Sequence, residues 1–208
     1  MPTEVKEMQK KYLTHVLEML GAPLRRHQAP EAWHKLESEL GAGLPPDYKE
    51  IVDAYAPVKI NGHLYLSHPA IEPWNLGEWI HSTAEAWSQI EWDEDEPEGD
   101  PRVSLGVPEL LFGTPDGLIP IASTDRGETI FYAPQGALGA GALFIENGEG
   151  EFFEYSFSFV EWLYRWLIGE EVTGPGGGAF YPGPVALMDL PMSPEDPQET
   201  RYGPPRGM

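Results

Sequence analysis

The chain has 208 residues, of which 41% are hydrophobic and none is cysteine. Its 13 Lys and Arg residues stand against 34 Asp and Glu residues, so the formal net charge at pH 7 is −21. This charge argues against nucleic acid and anionic membranes as partners, because both repel a strongly acidic surface. The absence of cysteine excludes disulfides, thiolate metal ligands and cysteine nucleophiles.

The chain is predicted to be a soluble, cytoplasmic protein. Its N-terminal stretch is punctuated by charged residues from Glu4 to Lys11, so it lacks the apolar core of a signal peptide. No segment approaches the roughly 18 apolar residues that a membrane span needs. The acidic composition has two explanations, which are solubility alone or steering toward basic protein partners.

An amphipathic helix is predicted over residues 3–20. Apolar residues recur there at helical spacing from Val5 to Met19, and Gly21 ends the pattern. Such a helix covers the core or meets a partner, and core cover is the more usual outcome.

The stretch from Trp33 to Gly62 predicts two further helices and the entry to a strand. Trp33, Leu36 and Leu40 recur at helical spacing before a pair of glycines. Two prolines then begin a second helix. Proline is tolerated there because the N–H groups of the first helical turn have no acceptor within the helix. The apolar residues of that second helix are Tyr48, Ile51, Val52 and Tyr55.

This stretch resembles the opening signature of the SUKH superfamily, which includes bacterial immunity proteins and a fungal regulator of cell-wall assembly. The resemblance is carried by a helix with Trp and Leu, then LPPDY at residues 44–48, then an amphipathic helix running into Asn61-Gly62. It covers residues 31 to about 170. None of its motifs is catalytic, so the resemblance implies a binding protein rather than an enzyme.

Strands are predicted after this signature. Residues 61–70 alternate apolar and polar side chains, and a helix follows from Leu76 to about Glu91. Two antiparallel hairpins are then indicated by short apolar or β-branched runs around turn residues, one over residues 118–132 and one over residues 142–158. Similar hairpin and closing segments occur in the resembled family.

A last helix is predicted from its local capping pattern. Ser158 followed by Glu161 forms a capping box, and Gly169 ends the helix. Pro and Gly then dominate, which predicts an extended or disordered segment with few ladder hydrogen bonds, although its apolar residues could strap it along the domain. We therefore expect three parts: an N-terminal helical extension (1–23), a SUKH-like domain (24–171) and a Pro/Gly-rich tail (172–208).

The expected fold class is α+β, with a mainly antiparallel sheet and helices packed on one side. The N-terminal helix precedes this domain and the Pro/Gly-rich tail follows it. The tryptophans at 33, 79, 87, 162 and 166 lie on the inferred core faces, so we assign them to packing rather than to ligand stacking.

The sequence contains no catalytic or metal-binding pattern that we recognise. The glycines at 174–178 lack the Gly-Lys-Ser/Thr ending of a phosphate loop. The acidic run from Asp93 superficially resembles a calcium loop, but Glu98 stands where that loop requires glycine. His63 and His68 are five residues apart, which sends them to opposite faces of a regular strand. We therefore expect no enzyme activity, cofactor or metal.

The expected partner-binding residues are an acidic block and two tryptophans that fall outside the predicted core faces. Carboxylates crowd residues 91–100 with no basic residue among them, and Pro97 and Gly99 oppose regular structure. A partly exposed tryptophan can anchor a partner. The predicted set is Trp74, Trp92, Asp93, Glu94, Asp95, Glu96, Glu98 and Asp100.

The resemblance implies an immunity protein that binds and neutralises a secreted antibacterial toxin, with a basic nuclease as the expected toxin class. In that interpretation the acidic block mimics phosphate and meets the basic cleft of the toxin. An intracellular scaffold or signalling adaptor of the same fold is the alternative, with the first helix or the tail as its contact. The sequence leaves the oligomeric state open.

Overall fold

The computed structural model describes residues 3–24, 27–90, 99–135, 141–178 and 181–206. Its helices are α1 (Thr3–Leu20), α2 (Pro30–Leu40), α3 (Pro46–Tyr55), α4 (Leu76–Ser88), α5 (Pro101–Leu105) and α6 (Phe159–Leu167). Its strands are β1 (Val58–Ile60), β2 (Leu64–Leu66), β3 (Ile119–Thr124), β4 (Thr129–Ala133), β5 (Ala142–Glu146), β6 (Phe152–Tyr155), β7 (Ala186–Asp189) and β8 (Thr200–Tyr202).

These strands form one antiparallel sheet in the order β6-β5-β4-β3-β2-β1-β7-β8. Every neighbouring pair except β1 and β7 is consecutive in sequence, so most of the sheet is a meander of hairpins. Helices and strands alternate in groups along the chain. The predicted α+β class, with its antiparallel sheet and N-terminal helix, is confirmed, and so are the hairpins β3–β4 and β5–β6.

The structure has a hairpin where the sequence pattern predicted one strand over residues 61–70. β1 pairs with β2 so that Ile60 lies opposite Leu64. The connection passes through Asn61 and Gly62, whose φ angles are 50° and 73°. Asn and Gly are the residues that adopt this left-handed conformation most readily, and their presence allows the chain to reverse here.

The Pro- and Gly-rich segment contributes two strands to the sheet. β7 pairs with β1, and β8 pairs with β7, so the sheet runs across the predicted boundary at residue 172. Asn61 fixes the junction, because its side-chain oxygen accepts the Ala186 N–H at 3.0 Å. Near the end of the chain the Arg206 guanidinium donates to the carbonyl oxygens of Leu167 and Gly183, at 2.8 and 2.6 Å.

The main core lies between one face of the sheet and the helices α1, α2, α3 and α6, and it also includes Leu76 and Ile80 from the first half of α4. Val16 and Leu20 of α1 are buried in it, and the ring of Tyr12 lies 5.4 Å from that of Tyr164 on α6. The first helix therefore covers the core. Burial of this many apolar side chains is the main force that holds the layers together.

A second, smaller core covers part of the opposite face. Successive residues of a strand point to opposite faces, and Phe131 and Phe144 point away from the main core into this cluster. The indole of Trp87 on α4 packs on it, with ring centroids 5.5 Å from Phe131 and 5.7 Å from Phe112. The C-terminal half of α4 thus lies on the face that the main helical layer leaves open.

The LPPDY motif holds α3 to two distant elements. The buried carboxylate of Asp47 accepts the N–H of Val160 at 3.0 Å, at the start of α6. The hydroxyl of Tyr48 donates to the carbonyl oxygen of Ile121 on β3 at 2.7 Å. Each bond satisfies a buried backbone group, which would otherwise destabilise the fold.

The Ser158 half of the predicted capping box at the last helix is present. The Ser158 hydroxyl oxygen accepts the Glu161 N–H at 3.3 Å, and α6 begins at Phe159. The Glu161 carboxylate pairs with Arg165 one turn further on, at 2.8 Å. A capped start fixes where α6 leaves the sheet and directs its apolar face, including Trp162, into the main core.

Candidate protein-binding groove

A groove lies between α4 and the sheet face that the main helical layer leaves open. It encloses about 90 Å³, and its lining residues are Tyr65, Ser67, Trp74, Trp79, Ile121, Ala122 and Ser123. Leu64 and Leu66 flank Tyr65 on β2 and are fully buried in the main core. Since side chains alternate along a strand, Tyr65 projects from the opposite face and into the groove.

Trp74 forms one wall of this groove and is held by the tail. It ends the 3₁₀ turn at Glu72–Trp74 and is half-buried. Its indole N–H donates to the carbonyl oxygen of Pro191 at 2.8 Å. A tryptophan with a fixed ring and a partly open face is a good anchor for a partner, because little side-chain entropy is lost on binding.

Trp79 and Ser123 complete the groove. Trp79 lies on a flank of α4, is half-buried and packs against the main core. Ser123 on β3 is the direct cross-strand neighbour of Tyr65. Helical periodicity assigned Trp79 to packing, and it does pack, but the same ring also lines the groove. The structure thus brings the predicted Trp74 together with an aromatic residue that periodicity alone did not single out.

A charged cluster borders the groove beside Tyr65. The Lys59 ammonium lies 4.7 Å from the centre of the Tyr65 ring and 3.1 Å from the Asp125 carboxylate. Hydrogen bonding to Tyr65 raises the pKa of Lys59, and Asp125 adds to that effect. Burial acts to raise the pKa of Asp125, but its contacts with His63 and Lys59 outweigh burial and lower it. Lys59 and Asp125 are therefore both charged at neutral pH.

Two carboxylates lie in the same elements as the groove tryptophans, Glu72 in the 3₁₀ turn and Glu78 in α4. Glu72 and Glu78 are exposed, one in the 3₁₀ turn and one in the first turn of α4. Neither forms a salt bridge with another described residue. No described basic side chain neutralises their charges, which leaves two exposed carboxylates near the groove tryptophans in sequence.

The predicted acidic block lies mostly outside the described residues. This applies to Trp92, Asp93, Glu94, Asp95, Glu96 and Glu98. Asp100 is described and is only 5% exposed. Its carboxylate caps α5 by accepting the Arg102 N–H at 2.8 Å, and it forms a salt bridge with the Arg102 guanidinium at 2.6 Å. Asp100 thus has a structural role where the acidic block ends.

His63 and His68 lie in separate surroundings. His63 contacts Asp125 at 2.5 Å beside the β1–β2 turn. His68 is fully buried, and its Nδ1 accepts the Ala70 N–H, which leaves Nε2 to donate to Asp53 at 3.2 Å. Burial lowers the pKa of His68 in spite of this carboxylate. Among the described residues, no group of three or more His, Asp or Glu side chains could hold a metal ion.

Comparison with known proteins places this fold in a family. A SUKH family model described as SMI1-KNR4 cell-wall matches residues 30–163. The chain belongs to the SUKH superfamily. This match covers α2 through most of α6, including the LPPDY motif and the groove, and it implies interaction with other proteins in general.

The match ends before the tail, so β7 and β8 lie outside the matched SUKH region. Comparisons with curated proteins and with solved structures gave no match. Within the described ranges, no helix combines the length and apolar character of a membrane span.

Proposed function

We propose that this SUKH protein is an immunity protein that binds and neutralises a secreted antibacterial toxin, with a basic nuclease as the expected toxin class. The groove carries the proposal, because Tyr65, Trp74 and Trp79 meet there, and the exposed Glu72 and Glu78 lie close to these tryptophans in sequence. Tryptophan and tyrosine in a concave site are the residues that most often dominate binding energy. The net charge of −21 supports a basic partner.

The acidic block supplies the long-range part of this binding. Residues 91–100 hold seven carboxylates and no basic side chain, which produces a strong local negative potential. Such a potential attracts the basic cleft of a nuclease and raises the association rate, up to about 10⁸–10⁹ M⁻¹s⁻¹ at low salt. Occupation of that cleft excludes the phosphate backbone of the nucleic acid, so the protein acts by binding and needs no catalysis of its own.

The proposal is tested with basic nuclease domains as candidate toxins, taken first from the genes next to the one that encodes this chain. Binding of the purified proteins is followed by surface plasmon resonance over a series of salt concentrations. We expect the association rate to fall steeply as ionic strength rises, since exposed charges are screened beyond about 8–10 Å at physiological salt. Absence of binding at every salt concentration would contradict the proposal.

Two variants separate the contributions of the two surfaces. Replacement of Asp93, Glu94, Asp95 and Glu96 by Asn or Gln should slow association and leave folding intact, because long-range charge acts on the encounter rate. Trp74→Ala should instead speed dissociation by tenfold or more, since truncation of an anchor costs about 2 kcal/mol. Tyr202→Ala is the matched control, because Tyr202 is an aromatic residue that is 69% exposed on β8. Equal binding by the acidic-block variant would place the interface elsewhere.

A further inference from the structure

We propose that the groove takes an arginine side chain of the partner protein, with its guanidinium stacked on the rings of Trp74 and Trp79. This inference rests on the proposed function, because it specifies what the partner presents to the same site. The groove volume of about 90 Å³ is several times the roughly 10–15 Å³ that one water needs by the same measure, so the groove has room for a small planar group.

The lining suits a planar cation. The faces of tryptophan and tyrosine rings carry negative potential and attract cations, with tryptophan the strongest. Ser67 and Ser123 add hydroxyl groups, and a hydroxyl oxygen accepts hydrogen bonds from guanidinium N–H groups. Arginine stacks on aromatic faces and is weakly hydrated, whereas the lysine ammonium is strongly hydrated and loses more on entering an aromatic groove.

The protein already holds cations on its own aromatic rings. Lys59 lies over Tyr65 at 4.7 Å, and the Arg165 guanidinium lies over Phe157 at 4.4 Å. The Arg165 contact uses the geometry that we propose for the partner. In that contact the guanidinium is also paired with Glu161 at 2.8 Å, so a ring and a carboxylate act together.

The local charge balance favours a cation in spite of Lys59. Its ammonium lies 3.1 Å from Asp125, which offsets its charge. Glu72 and Glu78 have no salt-bridge partner among the described residues. These two carboxylates lie close to the groove tryptophans in sequence, and together with the net charge of −21 they favour a cation over an anion as the occupant.

The test uses a small probe, acetyl-arginine methylamide, and the indole N–H signals in the NMR spectrum of the full chain. We expect saturable shifts of the Trp74 and Trp79 signals, assigned with Trp74→Phe and Trp79→Phe variants. The neutral isostere acetyl-citrulline methylamide should bind about tenfold more weakly, because it lacks the positive charge that the ring faces attract. Nα-acetyl-lysine methylamide, whose side-chain ammonium is free and charged, should also bind more weakly than the arginine probe.

A second variant tests the role of charge without disturbing the fold, because both of its substitutions are at exposed positions. Glu72→Gln with Glu78→Gln changes two exposed side chains and should weaken binding of the arginine probe by about threefold, as expected for exposed charges. Tyr202→Ala should leave its binding unchanged. Equal shifts from the arginine and citrulline probes, or shifts confined to other tryptophans, would overturn the arginine proposal.

The two proposals fail separately. If the toxin binds and rescues growth while the arginine probe leaves the groove signals unchanged, the arginine inference is wrong and the immunity function stands. If the probe binds in the groove and the toxin does not bind, the immunity function is wrong.

Discussion

Removal of the Asp47 carboxylate should destabilise the fold. Asp47→Ala leaves the buried N–H of Val160 without its acceptor, which costs about 1–3 kcal/mol. Loss of a negative charge at the start of α6 adds about 0.3–1 kcal/mol. The second carboxylate oxygen of Asp47 is buried and has no hydrogen-bond partner among the described residues, so its removal offsets part of this loss of stability. We expect a net loss of about 2 kcal/mol.

Urea unfolding followed by tryptophan fluorescence measures this change, with the midpoint lowered and the slope unchanged. In thermal unfolding the same loss corresponds to about 4–8 °C for a chain of this length. Asp47→Asn keeps an acceptor oxygen and should lose less. Asp116→Ala is the control, because Asp116 is exposed and should change stability by less than about 0.5 kcal/mol. Equal midpoints for Asp47→Ala and Asp116→Ala would refute the proposed role of Asp47.

Three further predictions concern the fold. Tyr48→Phe removes the 2.7 Å hydrogen bond to the Ile121 carbonyl oxygen and should lower the free energy of unfolding by about 1–3 kcal/mol. An unchanged midpoint in urea would contradict this prediction. Burial lowers the pKa of His68 in the folded state, so the unfolded state binds the proton first and the free energy of unfolding should fall as pH decreases below about 6.5. His68→Gln should flatten that pH dependence, and an identical pH profile would exclude His68 as its source. Arg206→Ala should speed hydrogen exchange in β7 but not in β4, and equal protection in both proteins would show that Arg206 does not hold the tail.

The elements that the sequence predicted well have local signals. Helices α1, α2 and α3 follow from apolar residues at helical spacing, and α6 follows from the cap at Ser158. Hairpins β3–β4 and β5–β6 follow from turn residues between apolar runs. These signals depend only on residues that are close in sequence, so they can be read without knowledge of tertiary contacts.

Other features depend on contacts between distant residues. β7 pairs with β1 across a long stretch of chain, with Asn61 and Ala186 separated by 125 positions. Tail composition opposes regular structure, yet a strand of 4 residues without proline suffices to cover the β1 edge. The Asn61-Gly62 dipeptide was a usable hairpin signal, because this pair favours tight reversals between strands.

The candidate site was predicted only in part. The sequence singled out Trp74 because it falls outside the helical core pattern, and the structure places it in the groove. Trp79 follows the helical period, so periodicity predicted only its packing role. Asp100 belongs to the acidic run by composition, but its cap on α5 and its pairing with Arg102 appear only in three dimensions.

Growth of cells that express a candidate toxin domain from a neighbouring gene together with this chain is the most direct test of the immunity function. We predict that the wild-type chain restores growth and copurifies with the toxin. We also predict that Trp74→Ala rescues less well than Tyr202→Ala at equal protein levels. Failure of the wild-type chain to restore growth, with no complex on purification, would contradict the proposed function.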